Sequence, residues 1–235
     1  MSIHTYDLAI LSQQFIALNC YIFAKKLIIN KPPIFIIKMN EKFPNIINKD
    51  GEAIYFGCIY TDEHVNQIFV ELSNKINWSN ETVVMFGKEI TTKRKVAFYA
   101  DKGISYTYSQ KTKNSLEWTP LLEKVKLDIE KYTKQKYNAC LLNFYHNGTE
   151  GMGWHADDEQ EIVPNSSIAS ISLGAPRKFS FKHKATKETM SIILESGSLL
   201  EMKGALQKHW LHALPKTMKT LEPRINLTFR QMRVK

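Results

Sequence analysis

Cysteine is scarce in this chain of 235 residues: Cys20, Cys58 and Cys140 are the only three, and no two form a Cys-x-x-Cys pair. An odd number at such spacings argues against a disulfide framework and a cysteine zinc site, and it fits a reducing intracellular compartment, cytoplasmic in a bacterium or nuclear in a eukaryote. Long apolar runs are missing too. The stretches LAILSQQFIALNCYIFA and PPIFII are the richest, but Gln13, Gln14, Asn19, Lys25 and Lys26 interrupt them. No span reaches the roughly 18–20 apolar residues of a membrane helix. Met1–Asp7 carries no Lys or Arg, unlike the basic start of a secretory signal. Residues 1–38 are therefore expected to be an N-terminal extension, with Met39 an alternative start, and no membrane partner is expected. Internal repeats and low-complexity tracts are absent, so 39–235 reads as one domain.

Acidic residues are also in deficit. With 32 Lys+Arg against 23 Asp+Glu, the net charge is +9. A surplus of this size suits a polyanionic partner through phosphate neutralisation and counterion release. A lysine-rich surface in an organism whose composition leans to Lys, Ile and Asn explains it equally well.

Two segments have helical periodicity. Thr61 caps a run with Asp62 and Glu63 in its first turn and apolar residues at Val65, Ile68, Phe69, Leu72 and Ile76. Thr119-Pro120 opens another, with Leu121, Leu122, Val125, Ile129 and Tyr132 on one face. Short β-type runs lie at 83–87, 95–99, 104–109, 139–145, 168–173, 178–183, 190–194, 198–203 and 224–230. Many short strands and few helices predict a mainly β fold, a sandwich or barrel with two helices packed on one side.

The chemistry-bearing residues begin at Gly151-Met152-Gly153-Trp154-His155-Ala156-Asp157-Asp158. Two residues apart on an extended strand share a face, so His155 and Asp157 can grip one ion. An imidazole and a carboxylate suit a divalent first-row metal, and a second histidine would complete the 2-His-1-carboxylate set of non-haem Fe(II) oxygenases. A lone His-x-Asp is more often two surface residues. His209 and His212 both offer the missing imidazole, and their odd spacing lets only one reach the ion from a strand. Spacing alone does not choose between them.

Arg224-Ile225-Asn226-Leu227-Thr228-Phe229-Arg230 alternates strictly. The ordinary meaning is a solvated face over a core face. Two arginines on one strand face can instead hold both ends of a dicarboxylic acid such as 2-oxoglutarate, because the planar guanidinium binds carboxylates bidentately.

In combination and order, these blocks resemble the AlkB family of nucleic-acid dealkylating dioxygenases. The likeness runs from about Thr82 to Met232. It is carried by Asn143-Phe144-Tyr145, Trp154-His155-Ala156-Asp157-Asp158-Glu159, Ile168–Ala175, Gly197-Ser198-Leu199-Leu200, His212-Ala213-Leu214-Pro215 and Pro223–Arg230. It implies a double-stranded β-helix, or jelly roll, with two helices on one sheet. It implies His155, Asp157 and His212 as iron ligands, leaving His209 as a neighbour. Asn143, Tyr145, Arg224, Asn226, Thr228 and Arg230 match residues that bind 2-oxoglutarate, and dioxygen is the co-oxidant. Asp158 matches an acidic residue that contacts the damaged base. Tyr106-Thr107-Tyr108 resembles part of a nucleotide-recognition lid spanning about 82–110. Phe86-Gly87-Lys88 resembles a segment whose apolar residue wedges into the base stack, although a core aromatic at a strand end explains Phe86 equally well. Arg94 lies where relatives carry a Pro-Arg pair, here Lys93-Arg94, and Ala100 replaces a common glycine. Both departures touch the lid and bear on substrate preference.

The function implied is oxidative demethylation of N-alkylated bases of the 1-methyladenine and 3-methylcytosine type in single- or double-stranded DNA, with release of formaldehyde, by a monomer. The same chemistry on RNA is the alternative. A catalytically silent nucleic-acid-binding module predicts damage to the triad or the arginines, and neither is damaged.

Overall fold

The computed structural model describes residues 43–85 and 88–108, resumes at 111, and runs to 234. They form one compact unit within Phe43–Lys235. Thirteen strands are described: β1 (Glu52–Cys58), β2 (Ser79–Met85), β3 (Lys88–Ala100), β4 (Ser105–Tyr108), β5 (Lys111–Asn114), β6 (Ala139–Tyr145), β7 (Met152–His155), β8 (Ile168–Gly174), β9 (Arg177–His183), β10 (Thr189–Leu194), β11 (Ser198–Lys203), β12 (Trp210–Leu214) and β13 (Arg224–Arg230). The helices are α1 (Asp62–Lys75), α2 (Pro120–Thr133) and the single turn α3 (Leu206–His209).

Both long helices start where their caps require. Thr61 accepts a hydrogen bond from the His64 backbone N–H, and Thr119 accepts one from that of Leu122. Each satisfies a donor that the first helical turn leaves without an intrahelical partner. The helices end differently: α1 runs into an extended Ile76, whereas α2 closes on Lys134 in the left-handed region at φ 58°.

The strands form a seven-stranded sheet in the order β1-β11-β8-β13-β6-β3-β2 and a four-stranded sheet in the order β10-β9-β12-β7, with β4 and β5 a separate ribbon. From β6 to β13 the chain repeatedly crosses between the two larger sheets. That wrapping is the jelly roll, a double-stranded β-helix. Val65, Ile68 and Leu72 of α1 and Leu122, Val125 and Ile129 of α2 pack with Cys140, Leu142, Ile171, Ile225, Leu227 and Phe229 on the outer face of the large sheet. Each such side chain contributes about 1.5–3 kcal/mol by leaving water. A second cluster fills the space between the sheets, with Tyr145, Ile168, Leu200 and Met202 against Phe179, Phe181, Leu194, Trp210 and Leu214.

Several edges depart from the sequence expectation. Strands β1, β5, β7 and β12 fall outside the expected runs, and the run expected at 95–99 is the second half of a longer β3. Phe86 and Gly87 lie outside the described residues, as do residues 1–42. The backbones of Lys88 and Tyr106-Thr107-Tyr108 are placed in β3 and β4, but their side chains fall outside the description. Among the described residues, no helix is long and apolar enough to cross a membrane.

Candidate metal centre and cosubstrate pocket

Strand β7 pairs antiparallel with β12, and the register sets His212 directly opposite His155. Their ring centroids are 4.2 Å apart. Asp157 is not on the strand: β7 stops at His155, and the carboxylate returns from the loop that follows. Its backbone N–H donates to Gln207 Oε1 at 3.0 Å, which fixes that loop against α3. One oxygen, Asp157 Oδ1, thereby lies 3.7 Å from His155 Nε2 and 3.9 Å from His212 Nε2. The three ligand atoms all fall within 4.8 Å of one another.

The donor set fits a divalent metal. Gly153 O lies 2.8 Å from His155 Nδ1, and a carbonyl only accepts, so Nδ1 carries the proton and Nε2 keeps its lone pair. The gaps to Asp157 are too long for hydrogen bonds, yet one ion with ligand bonds near ~2.0–2.2 Å spans them. His212 is buried, and its Nδ1 has no hydrogen-bond partner among the described residues. Burial, reinforced by the neighbouring His155, pulls its pKa down to about 3, so the imidazole is neutral and able to coordinate at neutral pH. Burial raises the Asp157 carboxyl, but its surroundings, the Arg230 guanidinium foremost and the two histidines with it, outweigh that and hold the group well below the ordinary carboxylate range.

His209 takes no part. It ends α3, and its ring stacks on His183 with centroids 6.3 Å apart. Thr186 N–H donates to His183 Nδ1, which leaves the His183 Nε2–H to donate to Asp50 Oδ2 at 3.1 Å. Asp50, His183 and His209 also cluster, but that tautomer turns a proton, not a lone pair, toward the carboxylate.

Strand β13 lies at the centre of the large sheet, between β8 and β6. Both of its faces are covered, so the arginine face is no solvated surface: Arg224 is 2% exposed and Arg230 3%. The register places Arg224 opposite Tyr145 and Asn226 opposite Asn143. Arg224 Nη2 donates to Ser172 Oγ at 2.9 Å, and its Cζ lies 5.6 Å from the Tyr145 ring centre. Arg224 Nε is buried without a hydrogen-bond partner among the described residues, and burial pulls the guanidinium down to about 10. An entering carboxylate would satisfy that donor and offset the burial. Asn226 donates from Nδ2 to Ser170 Oγ at 2.9 Å and to Ile171 O at 2.8 Å. Thr228 Oγ1 lies 3.5 Å from Asn226 Oδ1.

Asn143, Tyr145, Arg224, Asn226, Thr228 and Arg230 line one cavity with the His-Asp-His cluster, open on one side. Arg94 lines it too, buried rather than on a lid surface. It pairs with Glu81 and donates from Nη1 to Asn143 Oδ1 at 2.8 Å. Asp158 sits outside on the exposed rim, 3.7 Å from Lys184 Nζ. Glu81, Gln207, Ser170 and Ser172 were not anticipated as site residues. The two serines alternate in IASISLG, a pattern readable only once its facing strand is known.

The comparisons agree with this architecture. The family model described as the 2OG-Fe(II) oxygenase superfamily matches residues 52–230. The DNA oxidative demethylase ALKBH2 of Homo sapiens is 36% identical over 197 residues, covering 79% of this chain and 76% of that protein. The alpha-ketoglutarate-dependent dioxygenase alkB homolog 3 of Homo sapiens is 33% identical over 209 residues, covering 80% of this chain and 72% of that protein. The solved structure of OsALKBH1 superposes with a TM-score of 0.58 at 17% identity, covering 80% of this chain and 100% of that one, a likeness of fold.

Proposed function

The chain belongs to the 2OG-Fe(II) oxygenase superfamily and, within it, to the AlkB family, and on that premise we propose that it removes alkyl groups oxidatively from bases in DNA. It is an Fe(II)- and 2-oxoglutarate-dependent dioxygenase. One observation carries the reading of the site: a His-Asp-His cluster and a buried two-arginine wall face a single cavity.

In this reading His155 Nε2, Asp157 and His212 Nε2 hold the iron. With 2-oxoglutarate and dioxygen, that metal supplies the oxidation of an alkyl C–H bond, a route open where hydrolysis lacks a good leaving group. The remaining work falls to the chain. Arg224, positioned by Ser172, takes one carboxylate of the cosubstrate, and Arg230 stands beside the metal end. Asn143, Tyr145, Asn226 and Thr228 orient the acid between them. Burial of this wall excludes water from the cosubstrate. Once the alkyl carbon is hydroxylated, the hemiaminal breaks to formaldehyde and the restored base.

The target atom is on the Watson–Crick edge, so the nucleotide is taken single-stranded or flipped from a duplex. Alkylation there weakens pairing and lowers the cost of flipping. Asp158 on the rim favours a cationic lesion, and Tyr106-Thr107-Tyr108 with Phe86-Gly87-Lys88 belong to the lid that receives it. The net charge of +9 serves backbone binding by a monomer.

Protein supplied with Fe(II), ascorbate and 2-oxoglutarate should release succinate and formaldehyde from an oligonucleotide containing 1-methyladenine. Parallel reactions on single-stranded DNA, duplex DNA and RNA rank the substrates. Full activity in His155→Ala or Asp157→Ala would overturn the assignment.

A further inference from the structure

The pairing of β2 with β3 breaks at one place. Asn80 is opposite Lys95 and Thr82 opposite Thr91, so Glu81 alone faces the three residues Thr92, Lys93 and Arg94. The irregularity is built in: Asn80 Nδ2 donates to Thr92 O at 3.0 Å, and Thr92 Oγ1 donates to Arg94 O at 2.9 Å. Bulges of this kind re-aim side chains and gather beside active sites. Here the bulge turns Glu81 and Arg94 away from the edge of the sheet into the cavity, where both are buried and ion-paired. Arg94 then reaches Asn143 Oδ1 at 2.8 Å and Met152 Sδ at 3.4 Å, the latter on the strand that ends in His155.

A guanidinium in this wall poses a problem for the proposed substrate. 1-Methyladenine and 3-methylcytosine are cations, and an uncompensated arginine in a low-dielectric pocket repels them. The geometry points to Glu81 as a specificity-determining residue that cancels the charge of Arg94, keeping the pocket open to cationic bases while Arg94 holds Asn143 in place. This rests on the reading of the site as a base-dealkylation pocket, and it names a residue that the motif blocks do not contain.

Charge cancellation makes an ordered prediction. The quantity measured is the ratio of kcat/KM for 3-methylcytosine, a cation, to that for 3-methyluracil, a neutral base of nearly the same shape, in single-stranded oligonucleotides. Glu81→Gln leaves a net positive wall and should lower the ratio about tenfold, whereas Arg94→Gln should raise it. The double variant Glu81→Gln/Arg94→Gln restores neutrality, and its ratio should return to within about threefold of wild type. It also avoids stranding one buried charge, so it tests the idea even where a single variant folds poorly. Binding gives an activity-free readout: with Mn(II) and 2-oxoglutarate and without dioxygen, fluorescence anisotropy should show the same order of affinity ratios. A merely structural pair would depress both lesions equally and leave the ratio unchanged in every variant, overturning the inference while the wild type stays active. A wild type inactive on all methylated bases would take down the functional reading and this inference with it.

Discussion

Arg230 Nη2 donates to Asp157 Oδ2 at 2.8 Å, so the last residue of β13 is bonded to the carboxylate whose other oxygen faces both histidines. The cosubstrate wall and the metal cluster are thus one electrostatic unit. The charge of Arg230 favours the ionised form of Asp157 against the cost of burial.

Removing Arg230 should therefore weaken metal and cosubstrate together. Arg230→Met is expected to lower Mn(II) affinity about 10–100-fold, the range for loss of an outer partner of a ligand, and to raise the KM for 2-oxoglutarate. Arg230→Lys should not restore both, since a point charge lacks the planar fork. Isothermal titration with Mn(II) alongside steady-state kinetics separates the two effects. Metal affinity unchanged in Arg230→Met would contradict the coupling.

The two candidate histidines make opposite predictions. His212→Ala should abolish succinate production and detectable metal binding. His209→Ala should retain both within about threefold, because the ring only stacks on His183 and such surface-side packing is worth little. Metal content by atomic absorption after reconstitution decides it.

Ser172 bears on the far carboxylate through Arg224. Ser172→Ala removes one hydrogen bond of about 0.5–1.5 kcal/mol, which corresponds to a rise in the KM for 2-oxoglutarate of roughly 2–10-fold with little change in kcat. A fall in kcat without a change in KM would place Ser172 elsewhere in the reaction.

Acid should destabilise the metal-free protein earlier than carboxylate titration alone would. The His212 pKa falls from 6.5 to about 3 on folding, chiefly through burial. Between those values the unfolded chain binds a proton that the folded one refuses, so stability drops as pH falls from 6.5 toward 3. Asp157, whose folded pKa is depressed, adds a further loss below 3.8. Urea midpoints measured from pH 7 to pH 4 should show the decline, and His212→Gln should flatten it.

The helix-backed core can be tested at Ile129, which is fully buried between α2 and the large sheet. Ile129→Ala is expected to cost about 2–5 kcal/mol of unfolding free energy. Denaturant unfolding that shifts by much less would mean that the site collapses around the deletion.

What could be read in advance follows from where periodicity is strong. The two helices announce themselves through Thr61 and Thr119-Pro120, and β13 through its strict alternation. The double arginine on one face was visible, but its burial was not, because a central strand and an edge strand can carry the same alternation. Asp157 was expected beside His155 by strand geometry; it arrives from a loop, held by Gln207. That contact joins residues fifty positions apart, and local spacing holds no trace of it. Histidine choice was likewise invisible to spacing, because His209 belongs to a helical turn and only His212 enters the ladder. Glu81 and Arg94 are brought together by a register break that no composition signals.

Because His155 and His212 are cross-strand partners, catalysis in this protein reports the alignment of two hydrogen-bonded segments. Deletion of Leu211 would turn His212 to the face opposite Trp210 while leaving the strand apolar enough to pack. Such a chain would be a well-folded, metal-blind protein. Inactive variants arising there should therefore be sought by iron content and not by loss of solubility.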